Sequence, residues 1–181
     1  MKVLTIIPAK LDSTRLEKKN LREINGKSLV EHSIDYANAS QHEVDIIVSS
    51  ESDEVREVAL KYDSNVIFHS RGEELCGDAE VVDVYLNIVQ QLNAEYDLVV
   101  GLQPDNPDRS HTLDDCIDYM ISNNYDDLIT VNESYKRSGS VRIFKFKYLK
   151  AGEVSKRLGC IKDAATDIHY QSDLDLVKAK L

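Results

Sequence analysis

Short apolar runs alternate along the chain with segments of helical periodicity. The runs that predict strands are residues 3–7, 45–49, 66–68, 98–102 and 128–131. Between them, apolar residues recur at helical spacing at Val55, Val58, Ala59 and Tyr62, and again at Val81, Tyr85, Ile88 and Leu92. Strands that alternate with amphipathic helices are typical of βαβ units, whose helices cover both faces of a mostly parallel sheet. The pattern therefore predicts a three-layer α/β/α domain with ligands at the carboxyl ends of its strands.

The second half of the chain continues this pattern less regularly. Residues 113–121 have a helical face, and Thr112 stands where an N-cap is expected. Residues 141–146 alternate as a strand, with Val141 and Ile143 on one face and Arg142 and Phe144 on the other. Residues 173–181 predict a closing helix, and no repeat or linker interrupts the chain. We therefore expect one domain over residues 1–181.

Composition and charge exclude several classes of protein. The 181 residues include 22 Lys and Arg against 32 Asp and Glu, a net charge of −10, and no basic stripe suited to nucleic acid. No apolar run approaches the roughly 20 residues that a membrane span requires. Cys76, Cys116 and Cys160 are odd in number and form no C-x-x-C pair, which indicates reduced packing thiols and a cytoplasmic location.

The loop after the first strand carries the strongest chemical signal. It gathers the cations Lys10, Arg15, Lys18 and Lys19, and residues 13 and 14 add hydroxyl groups. Cations and hydrogen-bond donors in one loop can hold a polyphosphate. The alternative is a solvated surface loop. The Walker A and G-x-G-x-x-G spacings are both absent, so a P-loop enzyme and a dinucleotide-binding fold are not indicated.

This loop resembles the signature loop of the CMP-sugar-acid synthetases, the cytidylyltransferases that activate acylneuraminates and KDO. The matching string is I-P-A-K-L-D-S-T-R-L-E-K-K-N-L at residues 7–21, although Lys10 stands where the family has arginine. Residues 47–54 resemble the family's I-V-S-T-D-D-E-E, and residues 71–78 resemble R-P-x-E-L-A-x-D. The resemblance covers about residues 1–110 and implies transfer of CMP from CTP to a sugar acid, with release of pyrophosphate.

A fourth motif, L-Q-P-D-N-P-D-R at residues 102–109, combines features of the acylneuraminate and KDO branches. It supplies a carboxylate, Asp105, where the KDO enzymes hold a metal. Mg²⁺ prefers oxygen ligands and needs only one or two carboxylates besides substrate phosphates, so Asp105 is the expected Mg²⁺ ligand. The alternative for Asp105 is a loop acid that caps the next helix. Asp108 is expected to be a solvated loop residue.

The resemblance also implies a role for individual residues. The triphosphate is assigned to Lys10, Arg15 and Lys19, which carry the catalytic charge. The remaining nucleotide contacts are assigned to Ala9, Ser13, Asn20, Arg71, Asp78 and Gln103. Catalysis by such a site consists mainly of positioning and charge neutralisation.

The C-terminal part departs from the family. The family's second acidic segment, I-D-I-D-T-E-L-D-L, matches residues 168–176, where its two aspartates fall on His169 and Gln171. Asp167 or Asp173 is the alternative source of a second carboxylate by a shift of register, or the site uses one metal ion. The family's inter-subunit arm is missing after residue 131, which leaves both the sugar acid and a homodimer unspecified.

Two other functions stay open at this point. The loss of the two aspartates is also consistent with a non-catalytic homologue that binds a nucleotide or a sugar. A nucleotidyltransferase for another base or another acceptor is the second alternative, because related α/β enzymes use UTP or GTP.

Overall fold

The computed structural model describes residues 1–77, 79–153 and 155–181. The strands are β1 (Lys2–Pro8), β2 (Glu23–Ile24), β3 (Lys27–Ser28), β4 (Glu43–Ser50), β5 (Ile67–Ser70), β6 (Leu98–Gly101), β7 (Asp127–Val131), β8 (Arg137–Lys145) and β9 (Leu158–Lys162). The helices are α1 (Leu29–Asn38), α2 (Asp53–Tyr62), α3 (Val81–Gln91), α4 (Leu113–Ser122), α5 (Phe146–Ala151) and α6 (Gln171–Lys180). None of the helices that these residues form is long and apolar enough to cross a membrane.

Seven strands form one sheet in the order β5-β4-β1-β6-β8-β7-β9. Strand β1 lies between β4 and β6 and is parallel to both. Strand β8 is antiparallel to its neighbours β6 and β7, while β9 runs parallel to β7. The predicted mostly parallel sheet is therefore confirmed, and the carboxyl ends of β1, β4, β5 and β6 share one edge.

The two faces of the sheet carry separate cores, because successive side chains of a strand point to opposite sides. In β1, Val3 and Ile7 pack in one core, whereas Leu4 and Ile6 pack in the other. The first core is covered by α1, α2 and α4, and the second by α3 and α5. The predicted three layers are confirmed.

A smaller apolar cluster lies beneath the loop that follows β1. It joins that loop and the β2–β3 hairpin to the C-terminal helix through Leu16, Ile24, Leu29, Ile168, Leu174 and Val177. Each of these side chains is buried. We call this group the satellite core. It fixes the cationic loop and the segment before α6 relative to each other.

Two elements near the cationic loop are indicated by local sequence signals other than hydrophobic periodicity. The β2–β3 hairpin turns at Asn25 and Gly26, which have φ values of 51° and 80°. Asn-Gly is the strongest short hairpin signal because both residues tolerate positive φ. Helix α1 begins with a capping box in which Ser28 accepts from the Glu31 N–H and Glu31 accepts from the Ser28 N–H.

The structure corrects several sequence predictions in the second half of the chain. Phe146 begins α5 instead of ending the preceding strand, while Thr112 does cap α4 as predicted. All three cysteines are free, but only Cys116 is a buried packing residue, since Cys160 is exposed and Cys76 is half-buried. Neither α5 nor β9 was predicted.

The connection between β7 and β8 lies where the resemblance expects an inter-subunit arm, and it is a tight turn here. The side chain of Asn132 accepts from the N–H groups of Ser134 and Lys136. The Asn132 N–H also donates to the Lys136 carbonyl at 2.8 Å, and Tyr135 adopts a φ of 59°. The turn brings β8 directly back between β7 and β6.

Asp126 joins the ends of three strands in this half of the sheet. Its carboxylate, 4% exposed, accepts from Arg157 Nε at 2.9 Å and Arg157 Nη2 at 3.0 Å, and pairs with Lys145 Nζ at 2.6 Å. The hydrogen bonds from Arg157 outweigh burial and, with that from Lys145, hold the pKa of Asp126 well below its usual range. The carboxylate therefore stabilises the fold in its ionised form.

We expect Asp126→Asn to lose about 2 kcal/mol of unfolding free energy at neutral pH, since charged hydrogen bonds are lost. Because the pKa of Asp126 is lowered in the folded state, its carboxylate contributes its full stabilisation at pH values above the unfolded carboxyl pKa of about 3.9. This contribution disappears as the pH falls through the folded pKa. The stability difference between Asp126→Asn and the native protein should therefore shrink in acid. Urea unfolding at a series of pH values measures it, with Asp118→Asn on the exposed face of α4 as the matched control. Equal stability of Asp126→Asn and the native protein at neutral pH would contradict the assignment.

Candidate functional site

A cavity of about 450 Å³ opens at the edge where β1, β5 and β6 end. Its wall contains most of the residues that the sequence singles out, namely Lys10, Ser13, Arg15, Lys19, Asn20, Arg71, Gln103 and Asp105. His169, just before α6, completes the wall on one side. Residues that lie far apart in the chain thus meet at the carboxyl ends of parallel strands, as predicted.

Hydrogen bonds close the cationic loop on itself. The side-chain amide of Asn20 donates to the Lys10 carbonyl at 2.8 Å, so it joins the two ends of the loop. Asn20 is buried, and Leu16 anchors the middle of the loop in the satellite core. The Asn20 amide, which we expected to contact the nucleotide, therefore stabilises the shape of the loop.

One of the four loop cations points away from the cavity. Lys18 has a left-handed φ of 50°, and its Nζ pairs with Glu54 at the start of α2 at 2.7 Å. The other three line the cavity, with Lys10 and Arg15 exposed and Lys19 half-buried. The loop thus presents three cations and the hydroxyl-bearing Ser13 to a ligand.

An ion pair links the cationic loop to the end of β6. Lys19 Nζ lies 2.6 Å from Asp105 Oδ2, and the two side chains are only 14% and 15% exposed. The other carboxylate oxygen, Asp105 Oδ1, is buried and has no hydrogen-bond partner among the described residues. A buried acceptor is costly when it is left unpaired, so Oδ1 is suited to a ligand.

Arg71 forms a second cationic wall at the end of β5. It is buried, and its Nη2 donates to the Ser49 carbonyl at 2.8 Å. Burial lowers the pKa of the Arg71 guanidinium, and the negative charge of Glu51 partly opposes this effect. The Arg71 Nε also donates to Ser49 Oγ at 3.4 Å. A guanidinium has five N–H donors, so the donors beyond these two bonds suit a phosphate or carbonyl oxygen.

The position of Gln103 depends on a glycine in β8. Gly139 has a φ of +80°, and a Cβ atom there would lie 2.5 Å from Gln103 Nε2. The Gln103 carbonyl accepts from Arg109 Nη2 at 2.7 Å, which fixes the backbone of the 102–109 loop. Gly139 therefore leaves the space in which the Gln103 side chain lies.

Asp108 holds this loop to the segment before α6, so the expectation that it is solvated is wrong. Its carboxylate is 6% exposed. It accepts from the Thr166 N–H at 2.7 Å, from Thr166 Oγ1 at 2.8 Å and from Lys180 Nζ at 2.7 Å. The Ile168 N–H also donates to the Asp105 carbonyl at 2.9 Å. Residues 166–168 therefore run alongside residues 105–108.

Asp163 anchors the beginning of the same segment. It is 2% exposed and accepts from the N–H and hydroxyl of Ser110 and from the hydroxyl of Ser140. Burial alone would raise the pKa of Asp163, but these hydrogen bonds hold it below its ordinary value. The acid is thus a structural anion that joins β9 to the 102–109 loop.

The segment that replaces the family's second acidic motif places His169, and not Gln171, at the cavity. His169 Nε2 lies 2.9 Å from Asp167 Oδ2. Gln171 is exposed at the start of α6 and donates to Asp175. Asp173 accepts from the N–H groups of His169 and Tyr170, so it caps α6. Of the two alternative acids, Asp173 is therefore already used by the helix.

One of the predicted nucleotide contacts does not line the cavity, and another cannot be placed. Ala9 is completely buried in the core on one face of the sheet, and its N–H donates to the Ser49 carbonyl at 2.9 Å. Asp78 lies outside the described residues. The roles expected for Lys10, Ser13, Arg15, Lys19, Arg71 and Gln103 stay predictions, supported by their place on the wall.

Part of the cavity wall has no equivalent in the sequence predictions. Leu75, Cys76, Ala79, Val81 and Val84 form an apolar wall between β5 and α3. The helical periodicity of α3 could have indicated Val81 and Val84 only as core residues. An apolar wall opposite a cationic loop suits a ligand that has both a charged part and a flat or apolar part.

Comparisons with known proteins agree with this geometry. The family model described as cytidylyltransferase matches residues 4–151. The chain is 35% identical over 113 residues to CMP-N,N'-diacetyllegionaminic acid synthase of Legionella pneumophila, covering 60% of this chain and 48% of that protein. It is 32% identical over 107 residues to 3-deoxy-manno-octulosonate cytidylyltransferase of Chlorobium phaeobacteroides, covering 59% and 40%. The chain thus spans about half the length of the curated relatives it matches.

The fold agrees with a solved structure over almost the whole chain. The structure of CMP:2-keto-3-deoxy-manno-octonic acid synthetase complexed with CTP superposes with a TM-score of 0.75 at 14% identity. It covers 99% of this chain and 98% of that chain. At this identity the likeness shows the fold alone.

We expect Gly139→Ala to lose about 1 kcal/mol of stability, because alanine is strained at positive φ, and to weaken CTP binding by displacing Gln103. Gly152→Ala is the matched control, since Gly152 has a φ of +67° and nothing within 4 Å of a Cβ. Thermal unfolding should show similar losses for both variants. Calorimetric titration with CTP should show weaker binding for Gly139→Ala only, and unchanged CTP affinity in that variant would remove Gln103 from the site.

Proposed function

The chain belongs to the cytidylyltransferase family, and on this basis we propose that it transfers CMP from CTP to a sugar acid with release of pyrophosphate. The observation that carries the proposal is the meeting of Lys19 and Asp105 in a cavity that also contains Lys10, Arg15 and Arg71. This arrangement combines cations for a triphosphate with a carboxylate that has a free buried oxygen.

The cationic loop has the chemistry to hold the triphosphate. Lys10, Arg15 and Lys19 neutralise its charge, and Ser13 donates a hydroxyl hydrogen bond. The acceptor hydroxyl of the sugar acid loses its proton to solvent, and its oxygen attacks the α-phosphorus. The bond from that phosphorus to the pyrophosphate oxygen breaks, and pyrophosphate leaves with that electron pair. Because charge accumulates on the leaving oxygens, fixed cations stabilise the transition state more than the ground state.

The residues present fit a Mg²⁺ ion. Asp105 offers an unpaired carboxylate oxygen, which is the ligand type that Mg²⁺ prefers. Within residues 1–77, 79–153 and 155–181, no three His, Cys, Asp or Glu side chains lie close enough to hold a metal alone. Such a site is completed by substrate phosphates and water, as is usual for Mg²⁺. The bound ion supplies further charge neutralisation on the phosphates.

The acceptor is proposed to be a sugar acid of the nonulosonate class. The support is the match to proteins named for legionaminic acid and 3-deoxy-manno-octulosonate. We further propose that the product serves surface glycan synthesis. The three free thiols are consistent with a reaction in the reducing cytoplasm.

A non-catalytic homologue that binds nucleotide or sugar is the second candidate. Its support is His169 and Gln171 at the positions of the family's aspartates. It predicts nucleotide binding that scarcely responds to Mg²⁺ and no pyrophosphate release with any sugar acid.

Calorimetric binding of CTP, UTP, GTP and ATP, each with and without Mg²⁺, tests the proposed function. We expect CTP to bind selectively and Mg²⁺ to strengthen it, because Asp105 and the phosphates share the ion. Pyrophosphate release with a panel of sugar acids then identifies the acceptor. Absence of binding to all four nucleotides would reject the proposal, and preference for another base would change its nucleotide.

We expect Lys19→Ala to lower kcat/KM by about a hundredfold or more, equivalent to about 3 kcal/mol of transition-state stabilisation. Lys18→Ala is the matched control, because the neighbouring Lys18 pairs with Glu54 outside the cavity. Pyrophosphate release measures both variants, and thermal unfolding checks that they fold. Turnover of Lys19→Ala equal to that of Lys18→Ala would contradict the role of Lys19.

A further inference from the structure

The proposed metal site has one assigned carboxylate, Asp105, whereas the family segment that brings another has His169 and Gln171 in place of aspartate. The neighbouring acids decide whether the chain has a replacement. Asp163 is held by Ser110 and Ser140, and Asp173 caps α6. Neither carboxylate is free for a metal. Asp167 is the acid of this segment that these structural roles leave available.

The backbone on both sides of Asp167 is fixed against the 102–109 loop. The preceding Thr166 N–H donates to Asp108 at 2.7 Å, and the following Ile168 N–H donates to the Asp105 carbonyl at 2.9 Å. Ile168 is completely buried in the satellite core. Asp167 and His169 lie on the same side of this segment, since His169 Nε2 is 2.9 Å from Asp167 Oδ2. His169 lines the cavity on that side.

Asp167 lies beside residues that contact Asp105 or share its cavity. The next residue, Ile168, donates its N–H to the Asp105 carbonyl at 2.9 Å, and the Asp167 carboxylate lies 2.9 Å from His169 Nε2. His169 lines the same cavity as Asp105 and Lys19. Carboxylates on neighbouring segments are suitable oxygen ligands for one divalent cation. The unpaired Asp105 Oδ1 is an independent sign that a ligand belongs at this place.

His169 fixes the orientation of the Asp167 carboxylate. Its Nε2 lies 2.9 Å from Asp167 Oδ2. A neighbouring side chain that orients a ligating carboxylate is a common feature of metal sites. Gln171 has no comparable role, because it is exposed and bonds to Asp175.

We infer that Asp167 supplies the second carboxylate of the metal site, with His169 as the positioning residue that holds it. The ligand has thus moved two residues towards the N-terminus of the segment, from position 169 to the acid that pairs with His169. This inference rests on the proposed function, because it assumes that a divalent cation accompanies CTP in the cavity.

Binding of Mn²⁺, followed by the electron paramagnetic resonance signal of the free ion, tests the inference without any need for turnover. Mn²⁺ shares the preference of Mg²⁺ for carboxylate oxygen and water. The titrations use the full chain, with and without CTP. We expect Asp105→Asn and Asp167→Asn each to raise the Kd for Mn²⁺ about tenfold or more. The double variant should add little, because both residues act on one ion.

Two controls on α6 separate the site from general charge effects. Asp175→Asn removes the same charge at an exposed position, and its Mn²⁺ affinity should match that of the native protein. Gln171→Asp restores the family acid, and it too should leave the affinity unchanged because position 171 is exposed at the start of α6 and is not part of the cavity wall. A tenfold gain in Gln171→Asp would overturn the inference in favour of the family register.

The role of His169 is tested by a pair of substitutions. His169→Gln keeps a side-chain N–H near the place of Nε2 and should retain Mn²⁺ affinity. His169→Ala removes it and should weaken Mn²⁺ binding by about tenfold, as loss of a supporting hydrogen bond does at metal sites. Equal affinity of the alanine variant and the native protein would show that His169 does not position Asp167.

The remaining outcomes each decide one question. Native Mn²⁺ affinity in Asp167→Asn, with loss in Asp105→Asn, overturns the role of Asp167 but leaves the proposed function intact. No Mn²⁺ binding by the native protein, with or without CTP, also overturns the inference. Failure of CTP itself to bind contradicts the proposed function separately. Circular dichroism checks folding, and Asp167→Ser is the second variant if Asp167→Asn unfolds.

Discussion

The side-by-side pairing of β4, β1 and β6 is the constraint on which the site depends. Pro8 lies opposite Ser49, and Ile6 lies opposite Gly101. The ladder continues past the strand ends, where the Ala9 N–H bonds to Ser49 and the Leu102 N–H bonds to Ile6. The loops after these strands therefore begin at neighbouring points. Only then can Lys19, from the loop after β1, pair with Asp105, from the loop after β6.

The cationic loop and the acids of the site belong to a chain whose net charge is −10. Several acids near the cavity have structural roles. Asp108, Asp163 and Asp173 each accept two or more hydrogen bonds, which join segments or cap a helix. Their charge is satisfied within the protein. Asp105 differs because its Oδ2 pairs with Lys19 while its buried Oδ1 has no hydrogen-bond partner among the described residues. Asp167 differs because its carboxylate is half-exposed and pairs with His169. The site thus combines a cationic loop with a local excess of unsatisfied carboxylate, which is the arrangement that a metal-bound triphosphate complements.

The C-terminal part of the chain shows that fold and sequence similarity are separable here. The curated relatives match only 56–60% of the chain in several cases, whereas the solved synthetase superposes over 99% of it. Strands β7 and β8 and helix α6 keep the apolar positions that the sheet and the satellite core require, and those positions accept any residue of suitable size. Residues outside those apolar positions are free to change within that frame, as His169 on the cavity wall and Gln171 at the exposed start of α6 illustrate.

The sequence by itself determined the layers, the places of the early strands along the chain and the charged part of the cavity wall, because hydrophobic periodicity and a contiguous loop motif are local properties of the chain. It also contained the Asn25-Gly26 turn and the Ser28–Glu31 capping box, which are local signals as well. The tertiary structure alone decided that Lys18 turns away from the cavity, that Asp108 is buried, and that the Ile168 N–H, next to Asp167, bonds to the Asp105 carbonyl. These outcomes depend on contacts such as Thr166 with Asp108, 58 residues apart in the chain. Spacing along a sequence contains no information about partners at that separation, because only the packed sheet and the satellite core bring them together.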